Sequence, residues 1–476
     1  MNEMKADVAV IGAGSAGLVA YRAACGAGRR VLLIEGGAYG TTCARVGCMP
    51  SKLLIAAADA AHACVRAASF GVHGGAVRVD GAAVMARLHA ERDRFLAFVF
   101  DELAQIPTAD KLRGHARFIG PNRLQVDDHT RVEARAVVIA TGSSPAVPPL
   151  LKKAGTRLLT SDGLFEWTSL PASLAVAGVG AIGLELGQAL HRLGVRTTLI
   201  GRSEQLGGVR DPEVLAAART ILGAELDLRL RTEISDIEAD AAGLILHLRD
   251  ASGASSSLRC DYLLAATGRQ PNLDGLELER AGLALDRHGV PLFDPRTMQC
   301  GDAPVFLAGD AGGERELLHE AADTGRIAGR NAAHFPAVRP GLRRSPLAIT
   351  FSDPQMAGIG LPFSQLPADH VCGAVSFENQ GRSRVAQENR GLLRVYADAH
   401  DGRLLGAELC APRGEHLAHL LAWAHQNRMT LDALFDMPFY HPTFEEGLRT
   451  ALREARRVLS GGLPEGEACM RSTPGV

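Results

Sequence analysis

The chain has almost no net charge, no long apolar run and no dense set of cysteines, and each shortage excludes a class of function. Its 51 basic residues face 53 acidic ones, a formal balance of −2. No general basic field is therefore available to hold nucleic acid or anionic lipid. Only Lys5, Lys52, Lys111, Lys152 and Lys153 are lysines, the other basic residues being arginine, a bias we attribute to genomic composition. No apolar run approaches the roughly 18 residues of a membrane span. The first residues pass directly into a strand-like Val8-Ala9-Val10-Ile11, with no charged and apolar leader before it. The nine cysteines are odd in number and, apart from Cys43 and Cys48, widely scattered, unlike a disulfide framework. The expectation is a cytoplasmic protein with mostly reduced thiols, and with neither nucleic acid nor a membrane as partner. What is present is ordinary globular material: 476 residues, 46% hydrophobic and 22% charged, enough for three or four domains with sizeable cores.

The first strand-like run ends in Gly12-Ala13-Gly14-Ser15-Ala16-Gly17. An Ala-rich helical stretch follows to about Ala27, then Val31-Leu32-Leu33-Ile34 and an acid, Glu35. This is a dinucleotide fingerprint in full context: strand, glycine turn, helix, strand, carboxylate. The glycines permit a tight turn and close approach to a pyrophosphate, the helix N-terminus supplies free N–H groups, and Glu35 can accept from a ribose hydroxyl. The pattern recurs at Gly178-Val179-Gly180-Ala181-Ile182-Gly183, followed by a helix to about Leu193 and by Thr197-Thr198-Leu199-Ile200. Gly12 to Gly178 and Glu35 to Gly201 both span 166 residues, so the two units are in register without a gap. Two complete units point to two dinucleotide sites. The second has Gly201 where the first has its acid, and Arg202 follows. Loss of the acid and gain of a cation favour a 2′-phosphate, and hence NADPH over NADH. Arg210 is a second candidate phosphate contact.

The close pair lies in Thr41-Thr42-Cys43-Ala44-Arg45-Val46-Gly47-Cys48-Met49-Pro50-Ser51-Lys52, ahead of a stretch from Ser51 to about Ala68 that reads as helix. Residues five apart do not face each other on a regular helix. A bridge there requires a distorted first turn, which Gly47 and Pro50 permit. So small a loop gains little as a staple, and the pair suits electron transfer better. A helix N-terminus and Lys52 both favour thiolate. Two buried free thiols, or half of a zinc site, fit the same residues, although no second close Cys/His group offers further ligands; no metal is expected.

With these motifs in hand, the chain resembles the pyridine nucleotide–disulfide oxidoreductases, and among them dihydrolipoamide dehydrogenase. The resemblance runs to about residue 460 and includes Ala140-Thr141-Gly142, Ala266-Thr267-Gly268-Arg269-Gln270-Pro271-Asn272, Leu307-Ala308-Gly309-Asp310 and His441-Pro442-Thr443-Phe444-Glu445-Glu446. It implies an α/β fold with two Rossmann-like dinucleotide-binding domains, for FAD and NAD(P), and a C-terminal α+β dimerisation domain. The FAD domain is expected over 1–150 and 276–344, interrupted by the nucleotide domain at 151–275. Dimerisation follows over 345–460, its sheet beginning within 346–356 and an interface helix lying near 417–427. A flexible tail, 461–476, carries Cys469. The resemblance places FAD against Gly12, Gly14, Gly17, Glu35, Lys52, Ala116, Gly142, Asp310 and Leu318. The nicotinamide nucleotide falls to Gly178, Gly180, Gly183, Glu185 and Gly268, with Arg202 the added contact read above. It makes Cys48 the flavin-proximal thiol, Cys43 the interchange thiol, and His441, held by Glu446, a base supplied by the partner subunit of a homodimer.

Four departures stand out. Arg45 occupies a place where the family usually has Asn. Ala181 replaces a larger residue at the nicotinamide pocket. His416 stands where Glu is usual, at helical spacing from His419. The tail has one cysteine where mercuric and thioredoxin reductases carry paired C-terminal redox residues. The expected function is two-electron exchange between NAD(P)(H), FAD, Cys43–Cys48 and a small dithiol or disulfide such as lipoamide. The alternatives are an NADPH-dependent, glutathione reductase-like enzyme, a redox-sensing or assembly flavoprotein with weak turnover, and a transhydrogenase that would not need the thiols.

Overall fold

The structure is a computed structural model and describes residues 1–461; Cys469 lies outside the described residues. Strand β1 (Asn2–Ile11), helix α1 (Ser15–Gly26) and strand β2 (Val31–Glu35) form the first crossover unit. They belong to a seven-stranded sheet in which β1 is flanked by β2 and by β3 (Thr130–Ile139), while Val305–Leu307 returns from late in the chain to pair with β3. The second unit is β4 (Ser173–Ala177), a helix at Ala181–Arg192, and β5 (Arg196–Ile200), in a five-stranded sheet. Their registers repeat at the offset read from the sequence. Val10 pairs with Leu33 in the first sheet, and Val176 with Leu199 in the second. All four positions are essentially excluded from solvent, because parallel strands are covered on both faces and run as continuous apolar segments.

Between β2 and β3 the chain makes a short helix, α2 (Thr42–Val46), the long helix α3 (Cys48–Arg66) and a further long helix, α4 (Gly81–Ala104). The helix expected from Ser51 therefore begins three residues earlier, at the second cysteine. Gly47 separates α2 from α3, with φ −128° and ψ −114°. A Cβ there would lie 2.9 Å from the Thr42 carbonyl oxygen. The stretch Thr42–Phe70 also corrects the reading that no segment approaches a membrane span: by length and composition it is apolar enough to cross one, an 18-residue window within it having a mean hydropathy of 1.3. It is broken at Gly47, and it packs on α4 and on the Ala181–Arg192 helix through buried Leu54 and Ala58.

Helix α5 (Leu318–His334) crosses α1 at close range. Gly325 and Gly329, one turn apart, meet Ala16 and Ala20, also one turn apart; a Cβ on either glycine would come within 2.4 Å of a backbone oxygen of α1. Small residues at this crossing let the segment before α5 reach the first glycine turn. The C-terminal region is a five-stranded antiparallel sheet beginning at Leu347–Thr350 and Gln355–Gly360. It is covered by α6 (Gly414–Gln426) and α7 (Glu446–Leu459). Helix α6 buries Leu417, Ala418 and Leu421 and leaves Leu420 and Trp423 exposed.

Candidate functional site

Both glycine turns open into one cavity of about 1400 Å³, larger than the roughly 300–1,000 Å³ of an ordinary single-ligand pocket. The two turns are physically alike. Gly12 has φ +107° and Gly178 φ +112°, and a Cβ on either would strike a backbone oxygen, of Ala140 at 2.3 Å or Ala266 at 2.2 Å. Gly17 and Gly183 lie beneath the turns, where a Cβ would fall 1.8 Å and 2.0 Å from the carbonyl oxygens of Gly12 and Gly178. Gly14 and Gly180 face open space, with nothing within 4 Å of an added Cβ. These are cradles whose vacancy a side chain would fill. Glu35 closes the first, its carboxylate accepting from the N–H groups of Ala13 and Gly37, both at 2.7 Å. Two buried polar atoms have no protein partner, Thr141 Oγ1, next to the Gly12 turn, and Arg45 Nε. Such orphans are expensive unless a ligand satisfies them, and both residues line the cavity.

The break at Gly47 sets Cys43 in α2 opposite Cys48, the first residue of α3. Both are free thiols lining the cavity. Cys43 donates to Cys48, and this hydrogen bond is the largest influence on each. It pushes the Cys43 thiol well above its ordinary value, aided by burial. It lowers Cys48 to about 6 against the opposing effect of burial, with the Lys52 ammonium adding to the lowering. Cys48 is thus poised as a thiolate at neutral pH, with the proton of the pair on Cys43. Lys52, one turn into α3, is held from two other parts of the chain. Its Nζ lies 2.6 Å from Glu185 of the second crossover helix and 4.3 Å from the centre of the Phe351 ring. The other Glu185 oxygen accepts from the Phe351 N–H at 2.9 Å. Glu185, assigned by resemblance to the nicotinamide nucleotide, therefore has its carboxylate committed to Lys52 and Phe351.

Asp310 follows Val305–Leu307 and accepts from Ser143 at 2.9 Å; Ser143 in turn accepts from Arg269 at 2.7 Å. Ala116, Gly142, Gly268 and Leu318 also line the cavity. Arg202, Arg210 and Ala181 border it beside the second cradle. The backbone N–H of Arg210 is pinned by the buried carboxylate of Glu408, which also takes Asp211, so the C-terminal sheet fixes this loop. Phe351 and Glu316 were not singled out from the sequence. Glu316 lines the cavity with its carboxyl raised by burial and then by Asp310. Neither carries a motif, because each is brought to the site by packing between remote segments.

His441 and Glu446 do not line this cavity. They sit together at the start of α7, His441 Nδ1 lying 2.9 Å from Glu446 Oε1. The Thr443 N–H fastens the same carboxylate at 3.0 Å. A carboxylate in the first turn is favoured by the helix dipole. With Nδ1–H turned to it, Nε2 is left as the basic nitrogen. The His441 side chain is 55% exposed and that of Glu446 21%, so the imidazole faces outward from its own subunit. Among the described residues no group of three or more His, Cys, Asp or Glu is arranged to hold a metal. The His419 Nδ1 bonds within its helix to the Glu415 carbonyl at 2.7 Å.

Comparison with known proteins matches residues 6–325 to the pyridine nucleotide-disulphide oxidoreductase family and 347–452 to its dimerisation domain. A mercuric reductase of Shigella flexneri is 33% identical over 93% of this chain and 80% of its own length. Dihydrolipoyl dehydrogenase 3 of Pseudomonas aeruginosa is 32% identical over 94% of this chain and 97% of its own. The solved structure of the HOCl-induced flavoprotein disulfide reductase RclA from Escherichia coli superposes with a TM-score of 0.80 at 25% identity, covering 94% of this chain and 99% of that one.

Proposed function

The chain belongs to the pyridine nucleotide-disulphide oxidoreductases, and from that premise we propose that it is a dithiol–disulfide oxidoreductase of the dihydrolipoamide dehydrogenase type. Its cofactors are FAD and NAD(P)H, and its C-terminal domain is a homodimerisation domain. FAD, when bound, accepts and passes on two electrons between the nicotinamide and the sulfurs. The first cradle fits it through the open face of Gly14, the carboxylate of Glu35 and the unpartnered Thr141 and Arg45. The observation that carries the reading is the thiol pair at the helix break, one proton shared between two sulfurs, in the same cavity as both cradles.

The protein's own groups suffice for the sulfur chemistry. Cys43 must lose its proton before it can attack a substrate disulfide, and the partner subunit's His441 is proposed to take it at Nε2 while Glu446 holds Nδ1. Attack of the Cys43 sulfur breaks the substrate S–S bond, forms a mixed disulfide and releases one thiol, to which the imidazolium returns the proton. The Cys48 thiolate then attacks the Cys43 sulfur, closing Cys43–Cys48 and releasing the second substrate sulfur as a thiolate, which takes its proton from water. Two-electron reduction of the closed pair, which bound FAD would supply, returns Cys48 as thiolate and Cys43 as thiol, the proton coming from solvent. An outward-facing His441 supports a site shared between subunits. So do apolar residues left uncovered by their own chain, Trp423 at 64%, Tyr440 at 82% and Val65 at 63% exposure.

A second reading, an NADPH-dependent reductase of another low-molecular-weight disulfide, is favoured by Arg202 and Arg210 at the cavity. Steady-state rates with NADH against NADPH, and with lipoamide, glutathione disulfide and Hg(II) as acceptors, separate these readings. Lipoamide as the best acceptor supports the first, and glutathione disulfide with NADPH the second. An equal rate with both nucleotides in wild type and Arg202→Ala removes the assignment of Arg202. Cys43→Ser is expected to abolish disulfide turnover and retain flavin; unchanged turnover would sink the thiol mechanism.

A further inference from the structure

We propose that Arg45 is the counter-ion of the FAD pyrophosphate, so that the segment between the two cysteines is fastened directly to the cofactor. The proposal rests on FAD occupying the first cradle and not on which disulfide is the substrate. Arg45 is half-buried and lines the cavity. Its Nε is shut off from solvent with no hydrogen-bond partner. The other cations near the flavin side are committed, Lys52 to Glu185 and Arg269 to Ser143. The acid of the first fingerprint, Glu35, is itself occupied by the N–H groups of Ala13 and Gly37. An N–H shut off from water without an acceptor is costly, so the site is completed by an acceptor that the chain does not supply.

Position within α2 indicates which group. Arg45 lies one turn after Thr41 and Thr42, and residues three and four apart share a helix face. Thr41 is used as the helix cap, accepting from the Ala44 N–H. Thr42 and Arg45 face the same cavity as Gly12, Gly14 and Ser15, where α1 begins. A glycine turn feeding a helix N-terminus draws a pyrophosphate, and guanidinium pairs with phosphate through two parallel hydrogen bonds. The leading charges on the Cys48 sulfur are those of Lys52 and Glu185. A charge that grips the cofactor without retuning the thiol is therefore the expected behaviour. The family's usual Asn can donate one such bond but supplies no charge.

The test compares purified holoenzyme with Arg45→Gln and Arg45→Lys, following FAD release in KBr by recovery of flavin fluorescence. Release from Arg45→Gln is expected to be roughly ten- to a hundredfold faster, the worth of a hydrogen bond to a charged group. Arg45→Lys should recover most of the loss, and the pH midpoint of the thiolate–flavin absorbance band should stay where it is in wild type. Wild-type release from Arg45→Gln overturns the proposal, as does equal acceleration in both variants, which marks a packing role. Normal FAD release with a raised KM for anionic glutathione disulfide, but not for neutral lipoamide, also overturns it and assigns Arg45 to substrate. A wild-type protein that holds no flavin would instead refute the cofactor assignment itself.

Discussion

The thiolate on Cys48 should depend more on Cys43 than on any charge, and that ordering can be measured. The Cys43 S–H is the largest influence lowering Cys48 to about 6, Lys52 lowers it further, and burial and Glu185 push the other way. At pH 7 a group of that acidity is about ten parts thiolate to one part thiol, whereas an ordinary cysteine is mostly protonated. A hydrogen bond to a charged acceptor is worth about 1.5–3 kcal/mol, and about 1.4 kcal/mol moves a titration by one pH unit. Removing the donor in Cys43→Ala should therefore raise the Cys48 midpoint by about one to two pH units. Cys43→Ser keeps a hydroxyl donor in the same place and should stay near 6. The assay is a pH titration of the long-wavelength absorbance that a thiolate gives beside oxidised flavin, checked by the pH dependence of iodoacetamide alkylation. In the Cys43→Ser background, Lys52→Met should raise the midpoint and Glu185→Gln should lower it. A Cys43→Ala midpoint at or below that of Cys43→Ser would refute the reasoning, and a Lys52→Met effect larger than that of Cys43→Ala would reverse the order of causes.

Further outcomes follow from the geometry. Gly17→Ala, whose Cβ would fall on the Gly12 carbonyl, should fail to give folded holoenzyme. Gly14→Ala meets nothing in the protein and should fold, but emerge with little flavin by absorbance; Gly180→Ala should keep its flavin and raise the KM for nucleotide. Arg192, with a 4% exposed side chain, holds Glu225 at 2.6 Å and Asp353 at 2.9 Å, so Arg192→Met should cost up to about 3 kcal/mol by removing the main cation from two partly buried carboxylates, Asp353 keeping Arg390. Burial alone would raise both carboxyls, but Arg192 overcomes it and holds them below their ordinary range. Their stabilisation is present above the unfolded carboxylate pKa of about 4 and is lost as pH falls through the folded values. The thermal-midpoint gap between wild type and Arg192→Met should thus be widest at neutral pH and close below about pH 4. Finally, Cys43→Ser and His441→Ala homodimers, each inactive, should regain activity when subunits are mixed and allowed to exchange, through the one wild-type site in each heterodimer. No recovery despite demonstrated exchange would remove the shared-site assignment.

Much of the site was legible because its motifs are local. Gly12, Gly14 and Gly17 act within one turn, so their spacing alone implies the cradle, and the 166-residue repeat carries through to identical strand registers. The start of α3 was placed three residues late because Gly47 breaks the helix at the cysteine itself, and Pro50 misleads as a boundary by sitting inside the first turn. Thr42–Phe70 does not read as one apolar run because Arg45, Lys52, Asp59 and Arg66 interrupt it, although an 18-residue window within it is apolar on average.

By itself the amino-acid sequence determined the two dinucleotide units, the neighbouring sulfurs and the His441–Glu446 pair, all of which depend on residues close along the chain. Tertiary structure alone decided the electrostatics. Lys52 meets Glu185 across 133 residues, Glu185 meets Phe351 across 166, and the Arg45 Nε is left without an acceptor. No local pattern encodes those distances, because charge interactions depend on separation in space and on exclusion of water, and both are properties of the packed chain.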